Sequence, residues 1–401
     1  MGGRCNKSGA TCSSSCYSVG SNSKAGDMGG RQHVHLLFLA AVVLLASATT
    51  VYNLIHRRSW PVYLVDYACF RPASIYRFSK ARFVEQAHLS PFLDASTVRF
   101  IERMVETSGI GDETYVPPPI TYVPSCCAAL DEARGEVELV LFSAIDDLLA
   151  KTRVDVVRAV GALVVNCSGF SPSPAIADMI VNRYGLRDDV RVVNLSGMGC
   201  SAGPISVGLS VGLAASLLQV MPWGSHALVV STETIGPNYY AGNKRSMQLT
   251  NILFRMGGAA ALLSTSGLGA RFRLLHVART ITASDDRTYR CVFQEEDDDG
   301  IEGATLSKDL MAVAGHALRT NITAIAPLVF PVSELHKLSL AARKVLRGLG
   351  RRNIEPYIPD FRKAFEHFCV HAGGPADSDQ VDPARPQPVG RARRAVAHDA
   401  H

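Results

Sequence analysis

The chain has 401 residues, 47% hydrophobic and 19% charged, with a net charge of +5 and ten cysteines. That is the composition of folded protein, long enough for one large domain or two smaller ones. Acids and bases are mixed along the body with no basic stripe between aromatics, which argues against nucleic-acid binding, and no C-x-x-C pair offers a zinc framework.

Residues 1–33 are rich in Gly and Ser and are expected to form a disordered leader. Residues 34–56 follow as a predicted transmembrane helix, its uncharged core running from Leu36 to Ile55. The rival reading is a signal peptide cleaved after Ala48, although the leader is longer than a usual n-region. Arg57, Arg58, Arg71 and Arg77 after the span outweigh Lys24 and Arg31 before it, which places the body in the cytosol. A reducing compartment also suits the cysteine usage.

The body alternates helix and strand signals. STVRFIERMVETSG reads as a helix with a Ser/Thr cap that stops at Gly109. In EVELVLFSAIDDLLAK, Val137, Leu141, Ala144, Ile145 and Leu148 fall on one helical face. ALVVNCS (162–168) and VRVVNLS (190–196) read as strands buried on both faces, with the helix PAIADMIVNRYG between them ending at Gly185. SVGLSVGLAASLLQV is a predicted buried helix, HALVVSTE a third strand, RSMQLTNILFRMGG a helix and AAALLST a fourth strand. This alternation predicts an α/β fold with a largely parallel, buried sheet. After Ala270, RFRLLHVARTITAS reads as a strand, QEEDDDGIEG as an acidic solvated loop and SKDLMAVAGHALRTNITAIAPLV as a helix. DFRKAFEHFCVHAGG reads as helix, strand, or one then the other. Residues 375–401 lack Leu, Ile, Met and every aromatic, and are expected to be a disordered tail.

The sharpest feature is NLSGMGCSAG (194–203). Cys200 sits after a predicted strand and at the start of a predicted helix, where backbone N–H groups and the helix dipole favour a thiolate. Such a thiolate suits covalent catalysis, and Gly197, Gly199 and Gly203 permit a sharp turn and close approach of a ligand. The alternative is a buried structural cysteine. His367 and His371 are four apart, on one face of either a helix or a strand. One of them is a candidate base for Cys200, and a core histidine is the alternative. No HExxH arrangement or third ligand supports a metal. EEDDDG lacks a Glu at the last position of a calcium loop, where Leu306 stands. SAGPISVG lacks a P-loop Lys-Ser/Thr.

PVYLVDYACFRP (61–72), SGIGDETYVP (108–117), FSAIDDLLAKT (142–152), VVNCSGFSPSP (164–174), NLSGMGCSAG, NKRSMQLTNILFRMGGAA (243–260) and KAFEHFCVHAGG (363–374) together resemble the plant-type 3-ketoacyl-CoA synthases. Those are the condensing enzymes of very-long-chain fatty-acid elongation. The resemblance runs from Pro61 to Gly374. It implies a thiolase-like, layered αβαβα fold of two halves, here 61–268 with the nucleophile and a partial 269–374. It also implies attachment to the endoplasmic reticulum membrane and a homodimer, or a heterodimer with related synthases.

By the same resemblance Cys200 takes the acyl chain from acyl-CoA as a thioester. His371 is the catalytic histidine and His367 a second histidine of its motif. Malonyl-CoA loses CO2 and its enolate attacks the thioester, with a histidine–asparagine pair stabilising the enolate and N–H groups near Cys200 holding the thioester oxygen. No metal or other cofactor is implied. The chain departs from the family in having one evident span rather than two, and Ile281 where a histidine is usual. The family pattern also continues past Gly374 through a Gly-Asn-Thr-Ser loop bearing the asparagine, whereas this chain continues into the 375–401 tail. Weak or absent intrinsic activity is therefore expected. The alternative is a non-catalytic homologue that dimerises with an intact synthase, and a cysteine hydrolase using Cys200 and His371 is a third reading.

Overall fold

The computed structural model describes residues 61–122, 129–201, 208, 223–347 and 359–369. The chain divides into Met1–Ser59, which lies outside the described residues, and Trp60–His401. The predicted span at 34–56, the helix at 206–220 and the tail at 375–401 therefore also lie outside them, apart from Gly208. Among the described residues, no helix is long and apolar enough to cross a membrane.

The central element is a six-stranded sheet in the order β3-β2-β4-β5-β1-β6. Its strands are β1 (Val62–Cys69), β2 (Val160–Asn166), β3 (Arg191–Leu195), β4 (His226–Thr232), β5 (Gly258–Ser264) and β6 (Phe272–Leu274). β2 is parallel to both β3 and β4, while β5 is antiparallel to β4 and β1, and β6 is antiparallel to β1. The sheet is therefore mixed, not largely parallel. An unbroken apolar run reports burial of both faces and carries no direction, so AAALLST gave no warning that its strand reverses.

Every residue of β2 is buried, as its apolar run predicts. β3 differs from its expectation: Arg191, Val192 and Asn194 are exposed. It lies at the edge of the sheet and pairs with β2 alone, so one flank lacks the neighbours that bury a central strand.

Among the described residues, helices flank and follow the sheet. α1 (Lys80–Leu89) and α2 (Ala95–Thr107) pack together near α3 (Leu130–Thr152), the longest, which lies across β5, β1 and β4. Val137, Leu141, Ala144, Ile145 and Leu148 of α3 are buried, matching the face read from their spacing. α2 begins one residue ahead of its expected Ser/Thr cap: Asp94 accepts a 2.6 Å hydrogen bond from the Thr97 N–H, and a carboxylate near the helix N-terminus also favours the dipole. α4 (Ile176–Tyr184) stops on Gly185 at φ 59°, as expected for a left-handed C-terminal cap. α5 (Arg245–Leu253) buries Met247 and Ile252, and α6 (Leu310–Val329) matches its predicted range closely.

Three C-terminal expectations need correction. Only Phe272–Leu274 of RFRLLHVARTITAS is strand. The acidic loop is instead a hairpin of β7 (Val292–Glu296) and β8 (Glu302–Leu306). Its turn is closed by Asp297, whose Oδ1 accepts from the Asp299 and Ile301 N–H groups at 2.9 and 2.8 Å, while residues 298–300 at its tip are exposed, as a solvated loop predicts. Residues 359–369 form one short turn, Phe361–Lys363, and no helix or strand follows through Cys369. Asp360 satisfies the turn locally by accepting from the Arg362 N–H, which favours a turn over an extended helix. The helix preceding it, α7 (Val332–Arg347), follows α6 and was not read from the sequence.

Candidate active site

The parallel strands β3, β2 and β4 end level with one another: Asn166 of β2 stands beside Leu195 of β3 and Ser231 of β4. Loops leaving the carboxyl ends of parallel strands are where α/β sheets present their chemistry. Here those loops carry Cys167–Gly169, Ser196–Cys200 and Glu233–Asn238.

Cys200 lies in a single helical turn, Gly199–Ser201, and is exposed and outside any disulfide. The chain reaches it from Leu195 through two left-handed residues, Gly197 at φ 67° and Gly199 at φ 53°. A Cβ at either glycine would meet nothing within 4 Å, so it is the dihedral angle, not lack of room, that requires glycine there. Gly203 lies outside the described residues. The Gly199 N–H is already committed, donating to Ser168 Oγ at 2.9 Å, so Gly199 shapes the turn and does not offer that N–H to a substrate oxygen.

Cys167 offers a contrast. It is buried, and its Sγ lies 3.3 Å from Thr234 Oγ1 and 4.0 Å from Glu233 Oε2. Burial pushes its thiol pKa up; the Thr234 hydrogen bond opposes this and the Glu233 charge adds to it. Cys167 is thus held as a thiol, which is not the nucleophilic form. A small recess lies beside it, lined by Cys167, Phe170, Ile176, Asn194 and Ser196.

The β4 loop is pinned on both sides. Glu233 accepts from the Ser168 N–H through both carboxylate oxygens at 3.0 and 2.9 Å, and from the Gly169 N–H at 3.0 Å. Asn238 Nδ2 donates to the Gly169 and Thr234 carbonyls at 2.9 and 2.7 Å. From beneath, Glu136 of α3 accepts from the Ile235 and Gly236 N–H groups at 2.9 and 3.0 Å. Ser168, Glu233, Asn238 and Glu136 were not singled out in the sequence. The available signal was polar residues directly after all-apolar strands, at Cys167-Ser168 and at Glu233.

Of the two candidate histidines, His367 is exposed and sits past the Phe361–Lys363 turn, while His371 lies outside the described residues. Their four-residue spacing therefore rests on neither a helix nor a strand as far as Cys369. The described residues bring Gly197, Gly199 and Cys200 into one turn and leave His367 in a separate segment.

The family described as FAE1/Type III polyketide synthase-like protein matches residues 54–347. The chain is 45% identical over 357 residues to 3-ketoacyl-CoA synthase 4 of Arabidopsis thaliana, covering 87% of this chain and 67% of that protein. It is 47% identical over 338 residues to 3-ketoacyl-CoA synthase 6 of the same plant, covering 83% and 65%. The chain thus spans about two thirds of the length of these relatives. Among solved structures, a type III pentaketide synthase from Neurospora crassa superposes with a TM-score of 0.54 at 16% identity, over 68% of this chain and 74% of that one. A fungal type III polyketide synthase, ORAS, gives the same TM-score at 15% identity, over 68% and 74%. The α/β sheet is accordingly of the thiolase-like kind found in type III polyketide synthases. On the family match and on relatives this similar, the chain belongs to the FAE1/type III polyketide synthase-like family and, within it, to the plant-type 3-ketoacyl-CoA synthases.

Proposed function

We propose that this chain condenses a long-chain acyl-CoA with malonyl-CoA to give a 3-oxoacyl-CoA, CO2 and CoA. The observation that carries the reading is Cys200: an exposed thiol on a glycine-shaped turn at the carboxyl end of a parallel strand, in contrast with Cys167, whose thiol pKa burial pushes up. Relatives named as 3-ketoacyl-CoA synthases supply the reaction class.

In the first step the Cys200 thiolate attacks the acyl carbon. The Sγ–C bond forms, the bond from that carbon to the CoA sulfur breaks, and CoA leaves as a thiolate that takes up a proton. In the second step malonyl-CoA loses CO2, and the resulting enolate carbon attacks the Cys200 thioester. A C–C bond forms, the Sγ–C bond breaks and the Cys200 thiolate returns. His371, with His367 nearby in sequence, is assigned to stabilising the enolate, which is electrostatic work of the oxyanion-hole type. Residues 34–56 would anchor the chain in the endoplasmic reticulum membrane with the body in the cytosol, next to its acyl-CoA substrates.

The test is to incubate the purified full chain with a long-chain acyl-CoA and read the protein mass. An acyl adduct on Cys200 that disappears in Cys200→Ala is expected, followed by slow formation of 3-oxoacyl-CoA once malonyl-CoA is added. Folded protein that gains no adduct overturns the reading. An adduct without condensation leaves a protein that performs the first step alone, and release of free acid without malonyl-CoA points to a hydrolase instead.

A further inference from the structure

Three loops leave the carboxyl ends of three adjacent parallel strands, and one chain of hydrogen bonds runs across all three. Glu233, after β4, takes the Ser168 and Gly169 N–H groups of the β2 loop at 2.9 to 3.0 Å. Ser168 then uses its side chain, not its backbone, to take the Gly199 N–H of the β3 loop at 2.9 Å. Gly199 immediately precedes Cys200 and is one of the two left-handed residues that set the turn. The Cys167 N–H adds a 3.2 Å bond to the Leu195 carbonyl, extending the β2–β3 ladder one residue beyond the sheet. An exposed turn with two left-handed glycines has little intrinsic preference for one shape, because glycine loses the most conformational freedom on ordering. The Ser168 hydroxyl is a bond from outside that turn to the residue next to the thiol.

We propose that Ser168 and Glu233 are positioning residues for Cys200: Glu233 holds the Ser168 backbone, and the Ser168 hydroxyl holds the Gly199 N–H, which sets where the Cys200 sulfur stands. Neither residue needs to touch substrate. The relay rests on reading Cys200 as the nucleophile. Its direction is set by chemistry: a carboxylate only accepts, so Glu233 collects backbone donors, whereas a hydroxyl both accepts and fits between two loops. The geometry also explains why a serine follows Cys167, since alanine there would leave the Gly199 N–H without this acceptor.

The experiment compares wild type with Ser168→Ala, Ser168→Thr and Glu233→Gln, each as the full chain. Two readouts are taken: single-turnover acylation of Cys200 by a long-chain acyl-CoA, and the pH profile of Cys200 alkylation by iodoacetamide. Ser168→Ala should lower the limiting acylation rate about 10- to 100-fold, the scale of a displacement of about 1 Å, while the acyl-CoA concentration for half-saturation is unchanged. Ser168→Thr, which keeps the acceptor oxygen, should recover most of the rate. Glu233→Gln, which keeps the shape but loses one acceptor oxygen, should fall between them. The alkylation profile should shift in Ser168→Ala and return in Ser168→Thr, because moving the turn changes which backbone N–H groups face the sulfur. A Ser168→Ala protein that acylates at the wild-type rate overturns the proposal. If Ser168→Ala fails to fold, Glu233→Gln decides, and a folded Glu233→Gln at wild-type rate overturns it too. If wild type itself gains no adduct, the nucleophile reading fails separately. The alkylation profile then judges the relay, and an identical profile in wild type and Ser168→Ala sinks it.

Discussion

Glu136 Oε1 accepts a 2.9 Å hydrogen bond from the Ile235 N–H, joining the N-terminal third of α3 to the loop that leaves β4. The other carboxylate oxygen accepts from Gly236. Glu136 is only 5% exposed, so this loop is fixed to the core by an acidic group in apolar surroundings. Burial pushes its pKa up to about 7, against the lowering effect of the two N–H bonds. A carboxyl whose folded pKa lies above its unfolded value contributes stability that is fully present below the unfolded pKa and lost as pH rises through the folded one. Stability should therefore fall between about pH 4.5 and 7, by up to about 3 kcal/mol from this group. Denaturant midpoints measured across that window should decline in wild type and stay flatter in Glu136→Gln. Parallel slopes would show that Glu136 does not titrate there.

The two cysteines at the site make opposite predictions. Cys200 is exposed and Cys167 buried, its thiol held up by desolvation. At neutral pH a small alkylating reagent should modify Cys200 in the folded protein and reach Cys167 only after denaturation. Peptide mapping of the labelled protein reads both. Cys167→Ala should leave Cys200 labelling intact. Rapid modification of Cys167 in folded protein would show that this loop opens readily.

Glycines in this chain serve different ends, and alanine separates them. Gly197 and Gly199 are left-handed with open space around them. Alanine at either should cost about 1–2 kcal/mol through the dihedral angle alone, with a larger relative loss of acylation at Cys200. Gly258, at the start of β5, is the reverse case. Its backbone is not left-handed, but an added Cβ would overlap Val140 Cγ1 of α3. Gly258→Ala should destabilise by about 1–3 kcal/mol by forcing helix from sheet. Thermal unfolding and acylation rates together distinguish the classes. Equal losses of rate and stability at Gly199 would argue that its turn has no special tie to the thiol.

Much of the first half of the fold is legible residue by residue. β2 and β4 share the apolar run Ala-Leu-Val-Val because they are central strands, and the α3 face follows from helical spacing. β1 was hidden by Asp66, a charge inside the strand that is offset by Arg271 at 2.9 Å, more than two hundred residues away. No local pattern announces such a partner. The same holds at the site. The glycines around Cys200 advertise a turn, because a dihedral requirement is written in the residues themselves. Ser168 and Glu233 meet only because β2 lies between β3 and β4, and strand order is not readable from hydrophobic periodicity. The histidine segment was misjudged for a related reason: Glu334 and local caps hold it, and four-residue spacing does not report them.

Glu334, at the start of α7, is 1% exposed and gathers the segment that carries His367. Its Oε1 accepts from Lys363 Nζ at 2.6 Å and from Lys337 Nζ at 3.0 Å, and its Oε2 accepts from the Asp360 N–H at 3.3 Å. Both lysines are about half exposed, so removing the carboxylate returns them to water rather than stranding a buried charge. The cost to global stability should therefore be modest, about 1–3 kcal/mol, the scale of lost hydrogen bonds to a charged group. The local effect should be larger. In Glu334→Ala, residues 359–369 should lose amide protection while the β2 and β4 amides keep theirs, as hydrogen exchange read by mass spectrometry would report. Glu334→Gln, still able to accept one bond, should show a smaller change. Equal loss of protection in β2 and β4 would mean that Glu334 supports the whole body, not the segment that brings His367 to its place.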